Sequence, residues 1–369
     1  MKIVGMNGDT TKRANRQQVL RLLSTEPGIS RTEISARMGL VKMTVSNIIA
    51  EMIRSGMVKE TRATGVEKPG AGRKLTGLCF SEKAPVIAGL WMTGRQVYAG
   101  VFSMELKLLN QSIRQLEPGN AAESLSTILH SLMEPLDQPL LGIGMALGTG
   151  WDSSVGYQLS EMMNLPVFAM SDVAADATVI SRFTNYTNYI CLSMGALGPA
   201  PSIDGGIRAG IVVNGTMLGG TDGCVPLGQM SRIGGGRLAD VISQPILFRR
   251  CRETLGAECR NLSDVRFACK DNPAANAMLA DLFAPLMDMV ANLCLATHPE
   301  ALILDAGLSG FGEELREYCF SRLAAHLESD VPVVTAARFG TENTMYGAAC
   351  LVLEQIFQNG LGYQRFFQE

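Results

Sequence analysis

The chain has 369 residues, with 32 Lys and Arg against 35 Asp and Glu, and 47% of its residues are hydrophobic, an ordinary composition for filled globular cores. Length alone leads us to expect two or three domains. Membrane insertion is not expected, because the most apolar stretch, around 282–296, is broken by Asp288 and Asn292.

The segment Met1-Lys2-Ile3-Val4-Gly5-Met6-Asn7-Gly8-Asp9 lacks the apolar run of a signal peptide. Nine cysteines, at 79, 191, 224, 251, 259, 269, 294, 319 and 350, show no Cys-x-Cys or Cys-x-x-Cys spacing. This pattern predicts reduced thiols that mostly fill cores, and a cytoplasmic location. His130, His298 and His326 lie far apart, so no metal site is expected. Charge is divided unevenly: residues 1–78 hold 14 Lys and Arg against 6 Asp and Glu, whereas the remaining 291 hold 18 against 29. A balance of +8 beside one of −11 points to a polyanion partner for the first part only.

In that basic part, Val19, Leu20, Leu22 and Leu23 give a first helix one apolar face, ending near Thr25-Glu26-Pro27-Gly28. Ser30 and Glu33 have the spacing of a capping box that starts a second helix, which stops at Gly39. Val45, Ile48, Ile49, Met52 and Ile53 form the core stripe of a third. Its other face carries Lys42, Thr44, Asn47, Glu51 and Arg54. This is a helix-turn-helix, in which the N-terminal part of the third helix enters the major groove.

Met57–Thr61 and Leu75–Phe80 then read as a strand pair. Between them, Lys68-Pro69-Gly70-Ala71-Gly72-Arg73-Lys74 forms a wing suited to close approach to a narrow groove. The DNA-contact candidates are Arg31, Lys42, Thr44, Asn47, Arg73 and Lys74. A three-helix bundle built for protein contact is the alternative reading of the same pattern.

From about Pro85 the rhythm is strand, turn, strand, helix. Short apolar strands are predicted at 86–90, 97–102, 141–146, 166–170, 188–193, 210–215 and 301–304, and helices at 121–134, 156–163, 173–182 and 275–296. Such alternation implies α/β layers with mixed sheets. Asp172 beside Ser171 has the position of a helix N-cap, Asp176 reads as a solvated helix residue, and His298 before Pro299 as a local cap. The methionines at 278, 287 and 289 read as core or interface filler.

The order of motifs resembles the ROK family (repressors, open reading frames and sugar kinases) over nearly the whole chain. Gly72-Arg73-Lys74 is similar to the end of the family's repressor head, and Gly142-Ile143-Gly144-Met145-Ala146 to its central strand. Ser171-Asp172-Val173-Ala174-Ala175-Asp176-Ala177 resembles its Asn-Asp-x-Asn-x-x-Ala segment. Gly206–Ile211 with Asn214-Gly215 is similar to the second phosphate loop, Asp305–Ser309 to the adenosine-side turn, and Phe339-Gly340 with Gly347-Ala348-Ala349 to the final helix.

The resemblance implies an α/β fold: a duplicated actin-like, ribonuclease-H-like body behind an all-α winged helix-turn-helix. The divisions it implies are 1–80 for the head, 81–187 joined by the C-terminal helix 343–369 for the first body domain, and 188–342 for the second. It also implies a homo-oligomer, dimer or tetramer, bound to a double-stranded palindromic operator, with a sugar as possible effector.

The departures from the family pattern bear on activity. Where the kinases carry Asp-x-Gly-Gly-Thr, this chain has Trp91-Met92-Thr93-Gly94-Arg95, and Arg208 stands within the second loop after an insertion at 195–201. The sugar-clasping Gly-Glu-Ile-Gly-His appears as Val225-Pro226-Leu227-Gly228-Gln229. The zinc-binding cysteines that follow it in the family have no counterpart in Gly234–Ala239, so neither a metal nor another cofactor is expected. Asp172 is the remnant of the position of the kinase base, and Asp172 and Gln229 are the ligand-contact candidates; no catalytic residue is expected. Three readings stay open: a regulator controlled by a sugar, a sugar kinase with a DNA-binding head, and a regulator that answers to another ligand or a partner protein.

Overall fold

The structure is a computed structural model that describes residues 8–62, 76–195, 205–219, 222–232, 235–362 and 366–367. The head comprises α1 (Gly8–Thr25), β1 (Ile29–Ser30), α2 (Arg31–Met38), α3 (Lys42–Arg54), β2 (Val58–Arg62) and β3 (Thr76–Phe80). Its three strands pair antiparallel in the order β1-β3-β2. The capping box is formed: Glu33 N–H donates to Ser30 Oγ at 3.3 Å, and Ser30 N–H donates to the Glu33 carboxylate at 2.8 Å. Those bonds hold the Glu33 carboxyl below its usual range. Gly39 closes α2 at φ 64°, a conformation that costs glycine nothing and other residues a clash with their own backbone. Leu20, Leu23, Ile34, Val45, Ile49, Met52 and Leu78 are buried together as the core of the head.

The body contains two five-stranded sheets of one plan. The first is built from β4 (Val86–Thr93), β5 (Gln96–Phe102), β6 (Leu108–Gln115), β7 (Leu140–Leu147) and β8 (Val167–Ser171), with α4 (Ala121–Met133), α5 (Ser154–Met163) and α6 (Asp172–Phe183). The second is built from β9 (Tyr189–Met194), β10 (Ile207–Val213), β11 (Thr216–Leu218), β12 (Ala301–Leu304) and β13 (Val333–Ala336). Its helices are α7 (Gln244–Leu255), α8 (Leu262–Cys269), α9 (Pro273–Thr297), α10 (Ala306–Ser309) and α11 (Glu313–His326), and α12 (Asn343–Asn359) follows. The strand orders are β6-β5-β4-β7-β8 and β11-β10-β9-β12-β13. Each therefore has an antiparallel meander of three strands followed by two parallel ones. That repetition is the duplicated core expected from the order of the motifs.

β10 begins at Ile207 rather than at the predicted 210, because Ile207 and Arg208 already pair with Met194 and Ser193. β6, β13, α7, α8 and α11 were not anticipated; their charged or short sequences carry a weak periodic signal. α9 is long and apolar enough to cross a bilayer by length and composition. It is a core helix here, with Leu282, Phe283, Leu286, Met287 and Val290 buried in the second body core.

α12 lies on the first sheet so closely that a Cβ on Gly144 would sit 1.8 Å from the Ala348 carbonyl oxygen. On its other side, a Cβ on Gly347 would sit 2.0 Å from the carbonyl oxygen of Ala175 in α6. Two glycines thus set the spacing of sheet, α12 and α6.

Candidate nucleic-acid interface and cleft

The core stripe of α3 turns Val45, Ile48, Ile49 and Met52 inward, which leaves Lys42 and Asn47 exposed and Thr44 half-buried. Sequence reasoning passed over two neighbours: Val41 and Met43 are 69% and 70% exposed. Both lie off the core stripe, which is the signal that would have found them. An apolar side chain at such a place suits the C5-methyl group of thymine.

Glu51, expected on the same face, is turned toward α1 instead, where Arg16 and Lys12 form ion pairs with it. Arg31 is the first residue of α2 and meets Glu60 of β2 at 2.8 Å, on the flank of the head. Arg73 and Lys74 lie outside the described residues.

A cleft of about 670 Å³ lies between the two sheets of the body, bordered by Trp91, Tyr98, Asp172, Asp176, Ser193, Asp305 and Arg266 among others. Trp91 and Tyr98 face each other across β4 and β5 with ring centroids 4.7 Å apart. Asp172 is not the N-cap of α6. That role belongs to Ser171, whose Oγ accepts from Ala174 N–H, and Asp172 is the first helical residue, buried in the cleft wall. Its Oδ2 accepts from Arg208 Nη2 at 2.6 Å, and its Oδ1 from Val173 N–H at 2.8 Å. Both side chains of this ion pair are almost wholly removed from solvent, at 6% and 5% exposure.

Asp176 is likewise not solvated. It is buried, and its Oδ1 accepts from Asn343 Nδ2 and Thr344 Oγ1, both at 2.8 Å. Burial outweighs those bonds and pushes its pKa up to about 8. Asp305, which the resemblance placed only at the start of an adenosine-side turn, caps α10 and accepts from Ser193 Oγ at 2.6 Å. Burial raises its pKa to about 6. Arg266 Nη2 donates to the carbonyls of Ala306 and Gly307 at 2.9 and 3.1 Å, fixing the turn after Asp305.

Gln229 ends the short 3-10 turn Leu227–Gln229, is exposed, and does not border the cleft. The stretch after it closes on its own backbone: Arg232 N–H donates to the Gly236 carbonyl at 3.0 Å, and Leu238 N–H to that of Met230 at 2.9 Å. Among the described residues no cluster of three metal-ligating side chains occurs. His298 ends α9 at φ 44°, its N–H bonded to the Cys294 carbonyl.

Comparison with known proteins follows this division of the chain. Residues 12–59 match the family model described as winged helix-turn-helix DNA-binding. The chain is similar to the xylose repressor of Bacillus subtilis, 24% identical over 58% of each chain. It is also similar to the xylose repressor of Staphylococcus xylosus, 22% identical over 87% of this chain and 92% of that one. The match thus spans little more than half the length of the Bacillus subtilis relative and most of the Staphylococcus xylosus one.

A crystal structure of a ROK family transcriptional regulator, a homologue of the Escherichia coli MLC protein, superposes with a TM-score of 0.74 at 19% identity, covering 96% of this chain and 99% of that chain. The ROK family glucokinase of Streptomyces griseus, in complex with glucose and AMPPNP, gives 0.59 at 18% identity over 72% and 98%. The kinase covers less of this chain than the regulator does. The fold is that of ROK proteins, with a winged helix-turn-helix in front of the actin-like body.

Proposed function

We propose that this chain, a winged helix-turn-helix head on a ROK-type body, is a DNA-binding transcriptional repressor that reads a palindromic operator as a homodimer. The observation that carries the reading is the outer face of α3, where Lys42 and Asn47 are exposed on a well-packed helix of a DNA-binding head. We take residues 1–80 as the head, 81–187 with the C-terminal helix as the first body domain, and 188–342 as the second. Lys42, Thr44 and Asn47 are assigned to the major groove, with Arg31, Arg73 and Lys74 on flanking phosphates or the minor groove.

Phosphoryl transfer is not part of this reading. A base at Asp172 would have to take a proton from a sugar hydroxyl while its Oδ2 already holds the Arg208 guanidinium at 2.6 Å. Breaking such a buried pair costs about 3–5 kcal/mol before any chemistry begins. The carboxylate that opens the first phosphate loop of the kinases is Trp91 here, packed on Tyr98.

The effector we assign is a small sugar or related ligand held in the cleft with Asp172 in its wall, and Gln229, exposed and away from that cleft, is left out of the assignment. The relatives' name makes xylose the first sugar to test. The replacements at Pro226 and Gln229 favour, as a second reading, a ligand with fewer hydroxyls to satisfy, since unpaired hydroxyl contacts discriminate strongly.

Genomic footprinting of the full chain supplies the operator. Lys42→Ala with Asn47→Ala is then expected to abolish selectivity for it, while circular dichroism and thermal midpoint stay unchanged. Retained selectivity in that variant would show that another surface reads the DNA. A coupled ATPase assay over a hexose panel is expected to show no turnover; turnover lost in Asp172→Asn would establish a kinase instead.

A further inference from the structure

Among the described residues of the head, Val41 and Met43 are the large apolar side chains that stand exposed. Neither belongs to the core of the head. Val41 is the N-cap residue of α3, where Ser, Thr, Asp or Asn would accept from the free N–H groups, and its side chain makes no such bond. Met43, in the first turn, points away from the core. With Asn47, Ala50 and Arg54, all exposed, it follows the spacing i, i+4, i+7 and i+11, whereas Val45, Ile48, Ile49 and Met52 are buried on the opposite side. The outermost line of α3 is therefore Met43–Asn47–Ala50–Arg54, with Lys42 and Thr44 on its two flanks.

In a recognition helix the start of that line meets the base edges of the major groove. There the apolar group on offer is the C5-methyl of thymine, and an Asn side chain pairs with N6 and N7 of adenine. Ala50 is small enough to let the helix lie close. The balance of +8 in residues 1–78 draws the same face onto a polyanion. Resting on the DNA-binding reading of the head, we propose that Met43, with Val41 beside it, reads thymine through its C5-methyl group, so that the base pairs under the start of α3 are A·T. These two side chains then discriminate between sequences, which a contact from Lys or Arg to phosphate does not.

The test uses the full chain and the duplex that it selects most tightly from a random-sequence pool, remade with every thymine replaced by deoxyuridine. That exchange removes the methyl groups and leaves each Watson–Crick pair in place. Fluorescence anisotropy at one salt concentration compares the two duplexes. The uracil duplex is expected to bind about fourfold more weakly for each methyl that α3 covers, the factor for burying one such group. Val41→Ala with Met43→Ala should weaken binding to the thymine duplex and respond little to the exchange, at an unchanged thermal midpoint, because both side chains are exposed. Should that double variant lose its fold, Met43→Ala alone gives the same reading. Equal affinity of the unsubstituted chain for the two duplexes would overturn the proposal and leave the repressor reading standing. So would a preference for thymine that survives in full in the variant, which is what a difference in DNA shape would give. A chain that selects no sequence from the pool would defeat the repressor reading, and this assignment with it.

Discussion

Arg208 stands in a strand whose other members are apolar or glycine, Ile207–Val213, and a charge in such a place requires a partner. The partner is Asp172, so the residue most suggestive of catalysis serves as half of a buried pair. Removing one member leaves the other charged and desolvated. Arg208→Met and Asp172→Asn should therefore each cost about 3–5 kcal/mol, and the double variant much less than their sum. Urea denaturation of the three variants measures this, and additive losses would show that the two side chains do not depend on each other.

Asp176 bears on pH instead. Its carboxyl ionises near 3.8 when unfolded but holds its proton to about 8 in the fold. Between those values the folded state carries the extra proton, so the contribution of this group to stability is fully present below about 4 and is lost as pH rises to about 8. The limiting slope is about 1.4 kcal/mol per pH unit for one proton. Asp305, with its pKa near 6, adds to the fall only in the lower part of that window. Asp176→Asn should flatten the stability profile between pH 6 and 8; an unchanged slope there would assign the proton to another group.

At the scale of elements, α12 joins the body to the head. It ends at Asn359, and Gly360 closes it at φ 72°. Beyond it Phe366 and Phe367 are buried in the head's own core. Phe366 meets Phe80 edge-on with centroids 6.4 Å apart, its carbonyl accepts from Ser55 Oγ at 3.1 Å, and the Arg16 guanidinium lies 4.3 Å above the Phe367 ring. Phe366→Ala with Phe367→Ala should cost each site about 3–5 kcal/mol and free the head from the body. Calorimetry is expected to resolve two transitions in place of one; a single lowered transition would mean that the aromatic pair stabilises without coupling.

How far the chain could be read in advance divides at this scale too. The α3 stripe, the Ser30–Glu33 box and the Gly39 stop are local patterns with a period or a fixed spacing, so they could be read directly. The cleft could not. Asp176 finds its donors 167 and 168 residues away, and Arg208 reaches Asp172 across 36. No periodicity reports such pairings, and Asp176 on a helix looks like any solvated carboxylate until α12 covers it.

In the whole molecule, one helix connects the cleft to the reading head. α6 starts at Asp172 in the cleft wall, and near its far end Arg182 Nη2 donates to Ser24 Oγ of α1 at 2.6 Å. A ligand that binds one arrangement of the two body sheets more tightly would shift the populations of those arrangements and, through α6, the position of the head, and only differential affinity can do that. The charge division sets what the head then feels. Residues 1–78 carry a balance of +8 and the rest −11, so attraction to DNA belongs to the head and the body opposes it. If about six phosphates are contacted in the complex, log affinity should fall with log salt at a slope near −5. Operator titrations of the full chain at several salt concentrations measure it. Arg73→Ala with Lys74→Ala, which removes four basic side chains from a homodimer, should make that slope shallower by roughly two to four while leaving operator preference intact where those side chains hold phosphates, because phosphate contacts carry no sequence information. A salt-insensitive complex would mean that the basic head is not what holds the DNA.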